Sequence, residues 1–305
     1  MDPNYSTVEP AELEGASGSG LLLKNVYALY GRQFWRWFAI TAPPSLLASV
    51  VLLLSDQRAR GIYSGIPRGE LQYRWAEIVG SVVVRFGGFF ISWFLGCFAL
   101  AAIATATNGL KADDSNEVWR SDSYQCAREH FGALLLAAAF TFCIFVAGTT
   151  VFGFVVFALI RVVGWAHFAQ FSLVASLTSY VIVATIVSWF GMAIPLILSS
   201  NMGVWKALKK SVKVSNGYEG FLFLLVVESL AGSYVGWYAV HYGLTLLLPR
   251  QFQYTAWCGW LVYCLSILAS AAVQPPMFIG FSLLAANERP DSSSLPRTQQ
   301  SADVD

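Results

Sequence analysis

Few residues of this chain could do chemistry, and the most unusual is a carboxylate within an apolar run. Glu228 lies inside the stretch LFLLVVESLAG. If that run crosses a membrane, an ionised carboxylate there costs at least about 2.5 kcal/mol, so it should face the bundle interior, water or a cation. Arg85 is a candidate partner, although the two residues enter their runs from opposite faces. The alternative is a neutral Glu228 that hydrogen-bonds to Ser, Tyr or backbone, or that snorkels inward.

A basic segment, VWKALKKSVKVSN, is the second candidate. At helical spacing Trp205, Leu208 and Val212 share one face, and the lysines occupy the other: Lys206, Lys209, Lys210 and Lys213. Such a helix is predicted to lie in the membrane interface with its apolar face down. Its lysines would then lie near anionic headgroups, which contribute about 1 kcal/mol per lysine. The alternative is a topological anchor that keeps this loop cytoplasmic.

Catalytic and metal-binding patterns are missing from the sequence. The three histidines are scattered and form no H-E-x-x-H motif, and there is no G-x-S-x-G, Walker A or dinucleotide fingerprint. The five cysteines form no C-x-x-C pair and read as small buried hydrophobes. We therefore predict no catalytic residue, no metal and no cofactor. The net charge of +1 also argues against a nucleic-acid partner.

The elements that carry these residues are membrane spans. Hydrophobic residues make up 56% of the chain and charged residues 12%, against about 25% charged in soluble domains. Each apolar run is long enough to cross about 30 Å of hydrocarbon as a helix, and none alternates as a barrel strand would. The six predicted spans are Phe34–Leu54, Ile78–Ala106, Phe131–Ile160, Phe168–Ser199, Gly220–Leu248 and Tyr254–Ala286.

Prolines inside these runs should kink the helices, or line a binding site as broken helices do in transporters. They are Pro43, Pro44, Pro195, Pro275 and Pro276. A short amphipathic segment at residues 21–33 and a polar loop from Ser55 to Glu77 flank the first span. Residues 1–20 and 288–305 have the composition of disordered tails. The bias of Lys and Arg predicts a multi-pass plasma-membrane protein with both termini cytoplasmic.

The spans also suggest a repeat. Ser92-Trp93-Phe94 recurs as Ser188-Trp189-Phe190, and the even-numbered spans end alike, at Asn108, Asn201 and Asn287. Polar-aromatic lead-ins precede the odd-numbered spans, at Phe34, Phe131 and Phe221. We therefore predict an all-α membrane protein over residues 21–287, with six transmembrane helices arranged as three parallel helical-hairpin repeats with interfacial amphipathic helices. The repeats cover about 21–110, 111–203 and 204–287.

Two phrases carry a family resemblance: FWRWF-x-I-x-APP at the first span, and MAIPLILSSNMGVWKALKKSVKVSNG around the basic segment. The chain resembles, over roughly residues 20–286, uncharacterised bacterial six-span proteins grouped with the membrane domain found beside glycerophosphodiester phosphodiesterases. Its ending, SLLAANERPD, departs from the aromatic and arginine-bearing end of that family. No phosphodiesterase domain is present, so the resemblance implies the membrane fold and not that activity.

Two functions follow as hypotheses. The first is a non-enzymatic integral membrane protein with a structural, lipid-associated or regulatory role. Its partners would be membrane lipids, including anionic headgroups, with a homo-oligomer or another membrane protein left open. The alternative is a small transporter or channel with Glu228 and the proline-broken helices near its pathway. A continuous polar cavity reaching Glu228 would favour transport, and a dry, closed bundle would favour the first hypothesis.

Overall fold

The computed structural model describes residues 19–64, 74–112, 120–163, 168–200, 202–249 and 256–287. Within these ranges every regular element is an α-helix. The helices are α1 Ser19–Arg32, α2 Phe34–Ser64, α3 Trp75–Ala112, α4 Arg120–Glu129, α5 Phe131–Val163, α6 Phe168–Phe190, α7 Ala193–Ser200, α8 Val204–Ser215, α9 Glu219–Leu247, α10 Ala256–Val273 and α11 Pro275–Asn287. The predicted tails lie outside the described residues, except that Ser19 and Gly20 already belong to α1.

Six stretches of these helices are long and apolar enough to cross a membrane. They are Phe34–Ile62, Trp75–Asn108, Phe131–Val155, Tyr180–Ser200, Glu219–Leu244 and Cys258–Asn287. Each exceeds the roughly 20 residues that a span of the hydrocarbon requires. The prediction of an all-α membrane protein with six transmembrane helices is therefore confirmed.

The first connection differs from its prediction as a polar loop from Ser55 to Glu77. Helix α2 continues to Ser64, and α3 already begins at Trp75. Ion pairs between residues about one turn apart accompany both extensions. Arg60 Nε lies 2.6 Å from the Asp56 carboxylate, and Arg74, just before α3, pairs with Glu77. Charged residues one turn apart support a helix outside the apolar core, so polarity alone did not mark the helix end.

The buried core occupies one end of the bundle. It is built from the last turns of the even-numbered spans, where α3, α7 and α11 contact one another. The first turns of α2, α5 and α9 surround this centre and contribute Trp37, Leu134 and Leu222, all fully buried. The remaining length of the spans exposes large apolar side chains, as lipid-facing helices do.

The contacts between spans run in a closed ring. Within hairpins α2 packs on α3, α5 on α6 and α9 on α10, and between hairpins α3 meets α5, α6 meets α9 and α10 meets α2. Each short helix packs against the end of an even-numbered span: α1 on α11, α4 on α3, and α8 on α7. Three copies of one unit would give this pattern, although the internal repeat itself stays a prediction.

The starts of the odd-numbered spans sharpen that comparison. Counting from the first residue of each helix, the fourth position is buried in all three spans, at Trp37, Leu134 and Leu222. The third of these helices begins at Glu219, so Glu219 holds the first position that Phe34 and Phe131 hold in the other two. The sequence pattern matched Phe221 to those two residues, and the alignment of the units stays a prediction.

Candidate functional site

The basic helix α8 is held by one face. Ala207, Leu208, Ser211 and Ser215 are buried against α6 and α7. Leu208 is only 3% exposed, so it packs into the core and does not face the membrane beside Trp205, as the helical wheel suggested. A helix with one side anchored in this way presents its opposite side in a fixed orientation.

Helix α8 also supplies hydrogen bonds where the helix of the fourth span is interrupted. Pro195 has no N–H to donate to Gly191, and the helix is interrupted between Phe190 and Ala193. Ser211 Oγ donates to the carbonyl of Trp189 (2.6 Å), and Ser215 Oγ donates to that of Ser188 (2.9 Å). These hydroxyls satisfy backbone acceptors that the interrupted helix leaves without their usual partners.

The outer face of α8 is cationic. Lys206, Lys209 and Lys213 are exposed, and Lys210 is half-buried. Trp205 is 57% exposed; its ring meets that of Phe140 edge-on at 5.4 Å, and Lys209 Nζ lies 5.3 Å from its centroid. Helix α8 contains no acidic residue. The surface formed by Trp205 and the lysines, here called the lysine face, thus has the chemistry of a site for anionic groups.

Glu228 has a phenol as its partner. Tyr27, on α1, donates a hydrogen bond to the Glu228 carboxylate on the exposed side of α9. Burial raises the pKa of Tyr27 above its ordinary value of 10.0, and the hydrogen bond and charge of Glu228 raise it further. Arg85 instead lies 2.9 Å from the Asp56 carboxylate. The structure therefore does not bring Glu228 and Arg85 together, and Tyr27 is the partner of Glu228 instead.

The prolines of the first and sixth spans are accommodated by hydroxyls as well. Pro275 and Pro276 cannot donate to Ala271 and Ala272, and these carbonyls accept instead from Thr41 Oγ1 (2.8 Å) and the Tyr30 hydroxyl (2.5 Å). The sixth span is interrupted there, at Gln274.

In the first span, Pro44 cannot donate to Ile40, whose carbonyl accepts from the Tyr124 hydroxyl. Helix α2 runs without interruption through Pro43-Pro44. The prolines thus lie where the short helices attach to the spans.

A cavity of about 360 Å³ lies between the end of α6, the end of α8 and the start of α9. Its lining consists of Thr185, Ser188, Trp189, Ser215, Glu219, Gly220 and Phe223. We call it the Glu219 cavity. Sequence reasoning missed it because its residues come from three separate segments, and the only signal was an acidic residue opening a span.

The described residues contain no group of three or more His, Cys, Asp and Glu side chains able to hold a metal ion. No protein-family model, curated protein or solved structure matches this chain.

Proposed function

We propose that this multi-pass membrane protein is a non-enzymatic, lipid-associated protein that binds anionic headgroups through α8. The lysine face is the observation that carries the proposal. Lys206, Lys209 and Lys213 point away from the protein while the opposite side of the same helix is buried. Trp205 beside them has the amphipathic ring that favours the headgroup level.

The exposed lysines and the rigid attachment of α8 together favour binding of anionic lipid. A lysine near an anionic leaflet contributes about 1 kcal/mol, so three exposed lysines contribute about 3 kcal/mol, or roughly a hundredfold enrichment of anionic lipid. Because α8 is already folded and fixed by Ser211 and Ser215, no ordering cost of the helix reduces this gain. A disordered basic loop would bind less tightly for the same charge.

The same placement supports a plasma-membrane protein with both termini and α8 on the cytoplasmic side, because anionic lipids enrich that leaflet. The resemblance to the membrane domain associated with glycerophosphodiester phosphodiesterases remains part of this proposal. It adds a membrane fold and no activity.

The packing favours this function over transport. The meeting point of α3, α7 and α11 is filled by apolar side chains such as Ile103, Leu196 and Ile279, each at most 1% exposed. Glu228 lies on the exposed side of α9 and not at that centre. A pathway through the middle of the bundle would therefore have to cross a close-packed apolar layer at this end.

The test is lipid retention. We expect that wild-type protein reconstituted in equal phosphatidylglycerol and phosphatidylcholine retains phosphatidylglycerol in native mass spectrometry. The triple variant Lys206→Gln, Lys209→Gln, Lys213→Gln should retain at least tenfold less. The matched control removes three exposed cations from α1 and α4, at the same end of the bundle: Lys24→Gln, Arg32→Gln and Arg128→Gln. Equal losses in both triple variants, or no loss in either, would overturn the proposal.

A further inference from the structure

We propose that the Glu219 cavity is a second site, which binds a primary ammonium group of the kind carried by the phosphatidylethanolamine headgroup. The lipid form of this proposal rests on the proposed function, since it needs this end of the bundle at headgroup level. The chemistry of the cavity does not depend on the lysine face, because none of the four lysines lines it.

The hydroxyls of the cavity present acceptors. Thr185 Oγ1 donates to the Val181 carbonyl (2.9 Å), and Ser188 Oγ donates to that of Ala184 (2.7 Å). Ser215 Oγ donates to the Ser188 carbonyl (2.9 Å). Each hydroxyl therefore spends its one hydrogen on the backbone. Ser188 and Ser215 are only 4% and 0% exposed, so the half-buried Thr185 is the hydroxyl that offers its lone pairs to a ligand. A ligand that suits these positions must bring donors.

The charge of the lining is negative. Glu219 contributes a carboxylate, and the lining contains no Lys or Arg. Within the described part of the chain, no basic side chain forms an ion pair with Glu219. An ammonium group carries three donors and one positive charge, so it matches both the lone pairs of the Thr185 hydroxyl and the Glu219 carboxylate.

Trp189 adds a second contact for a cation. Its side chain is 42% exposed at the cavity wall, and a cation over an indole face gains about 0.5–1 kcal/mol at exposed sites. The hydroxyl hydrogens of the lining are bonded to backbone, so the indole N–H of Trp189 is the side-chain donor that suits the phosphate following the ammonium in such a headgroup. Phe223 continues the wall as an apolar surface, suited to the acyl part of a lipid.

The position of Glu219 in the fold also points to a ligand. The odd-numbered spans begin with Phe34, Phe131 and Glu219, so an aromatic residue satisfies the packing at the corresponding place in the other two. The dipole of α9 favours a carboxylate at this position by about 0.3–1 kcal/mol, but it does not account for the cavity beside it. The acidic residue thus lies where α6, α8 and α9 together line a cavity.

The experiment compares headgroups that differ only in N-methylation. Wild-type protein in nanodiscs is expected to retain phosphatidylethanolamine about tenfold over phosphatidylcholine, whose trimethylated nitrogen has no donor. Glu219→Gln should remove most of this preference, and Glu219→Phe, which copies the other two span starts, should remove all of it. Glu129→Gln, at an exposed carboxylate on α4, is the matched control and should keep the preference.

A soluble amine is distinguished by adding ethanolamine to protein in detergent without phosphatidylethanolamine. A thermal shift in the wild type that is absent in Glu219→Gln, without a lipid preference, would support the ammonium site with a soluble source. Equal retention of both lipids together with no ethanolamine shift would overturn the proposal. If the wild-type protein does not retain phosphatidylglycerol but still prefers phosphatidylethanolamine to phosphatidylcholine, only the proposed function is contradicted. The two failures can therefore be told apart.

Discussion

Polar side chains in the spans interact in pairs with side chains of neighbouring helices. The carboxylate of Glu228 accepts from Tyr27, and Arg85 lies beside Asp56. Both carboxylates interact with a neighbouring helix, since Tyr27 belongs to α1 and Arg85 to α3. A polar side chain near lipid keeps its place when a partner supplies the hydrogen bond that water would otherwise supply.

The Tyr27–Glu228 bond should have a measurable coupling energy. We expect Tyr27→Phe and Glu228→Gln each to lower the free energy of unfolding in detergent at pH 7, with a coupling of about 1 kcal/mol in the double-mutant cycle. Because the pKa of Tyr27 is raised in the folded protein, its contribution is present below pH 10 and is lost as the pH rises further. A coupling that is absent at pH 7, or unchanged at pH 11, would contradict this assignment.

At the scale of elements, the short helices act as caps for interrupted or proline-containing spans. Tyr30 of α1, Tyr124 of α4 and Ser211 and Ser215 of α8 all donate to span carbonyls. Each cap comes from a helix far from its acceptor along the chain, apart from α8, which returns over the span just before it. The breaks therefore fix where the short helices attach.

Removing the α8 caps should loosen that attachment. The double variant Ser211→Ala, Ser215→Ala leaves the carbonyls of Ser188 and Trp189 buried without these donors, at a cost of about 1–3 kcal/mol each. We expect a lower unfolding temperature in detergent, measured by circular dichroism. Ser233→Ala is the matched control, because Ser233 Oγ donates to the carbonyl of Ser229 one turn back in its own helix. A decrease as small as that of the control would show that the caps do not hold α8.

The whole molecule is a ring of three hairpins whose core is at one end. Close contacts between small residues fix the third hairpin: a Cβ on Gly232 would lie 2.4 Å from Val273 Cγ1, and one on Gly236 would lie 3.0 Å from Ala269. The α3, α7 and α11 ends meet inside the ring, and the opposite end exposes apolar surface. This asymmetry places α1, α4 and α8 on the same side of the protein.

Labelling tests the predicted orientation of that side. In a variant lacking the five cysteines, Lys213→Cys should remain unlabelled by a membrane-impermeant maleimide in intact cells, and Arg58→Cys should be labelled. Both side chains are exposed and lie at opposite ends of the spans, so access depends on sidedness alone. Labelling of Lys213→Cys in intact cells would overturn the cytoplasmic placement of α8.

Fold class could be read from the sequence, because the cost of burying backbone in lipid leaves long apolar runs only the helical option. The lysines of α8 were likewise visible as a periodic pattern. Helix ends were less predictable: α2 runs ten residues past Leu54, because exposed ion pairs such as Asp56–Arg60 support a helix that polarity suggested had ended.

The amino-acid sequence by itself determined how many helices cross the membrane and which one is basic, since both depend on local composition and period. Only the tertiary structure decided which groups meet. Leu208 is buried, Glu228 pairs with Tyr27, and Glu219 lines one cavity with Thr185 and Trp189, because separate helices pack side by side. Local pattern gives each side chain a direction relative to its own helix, and packing determines what lies in that direction.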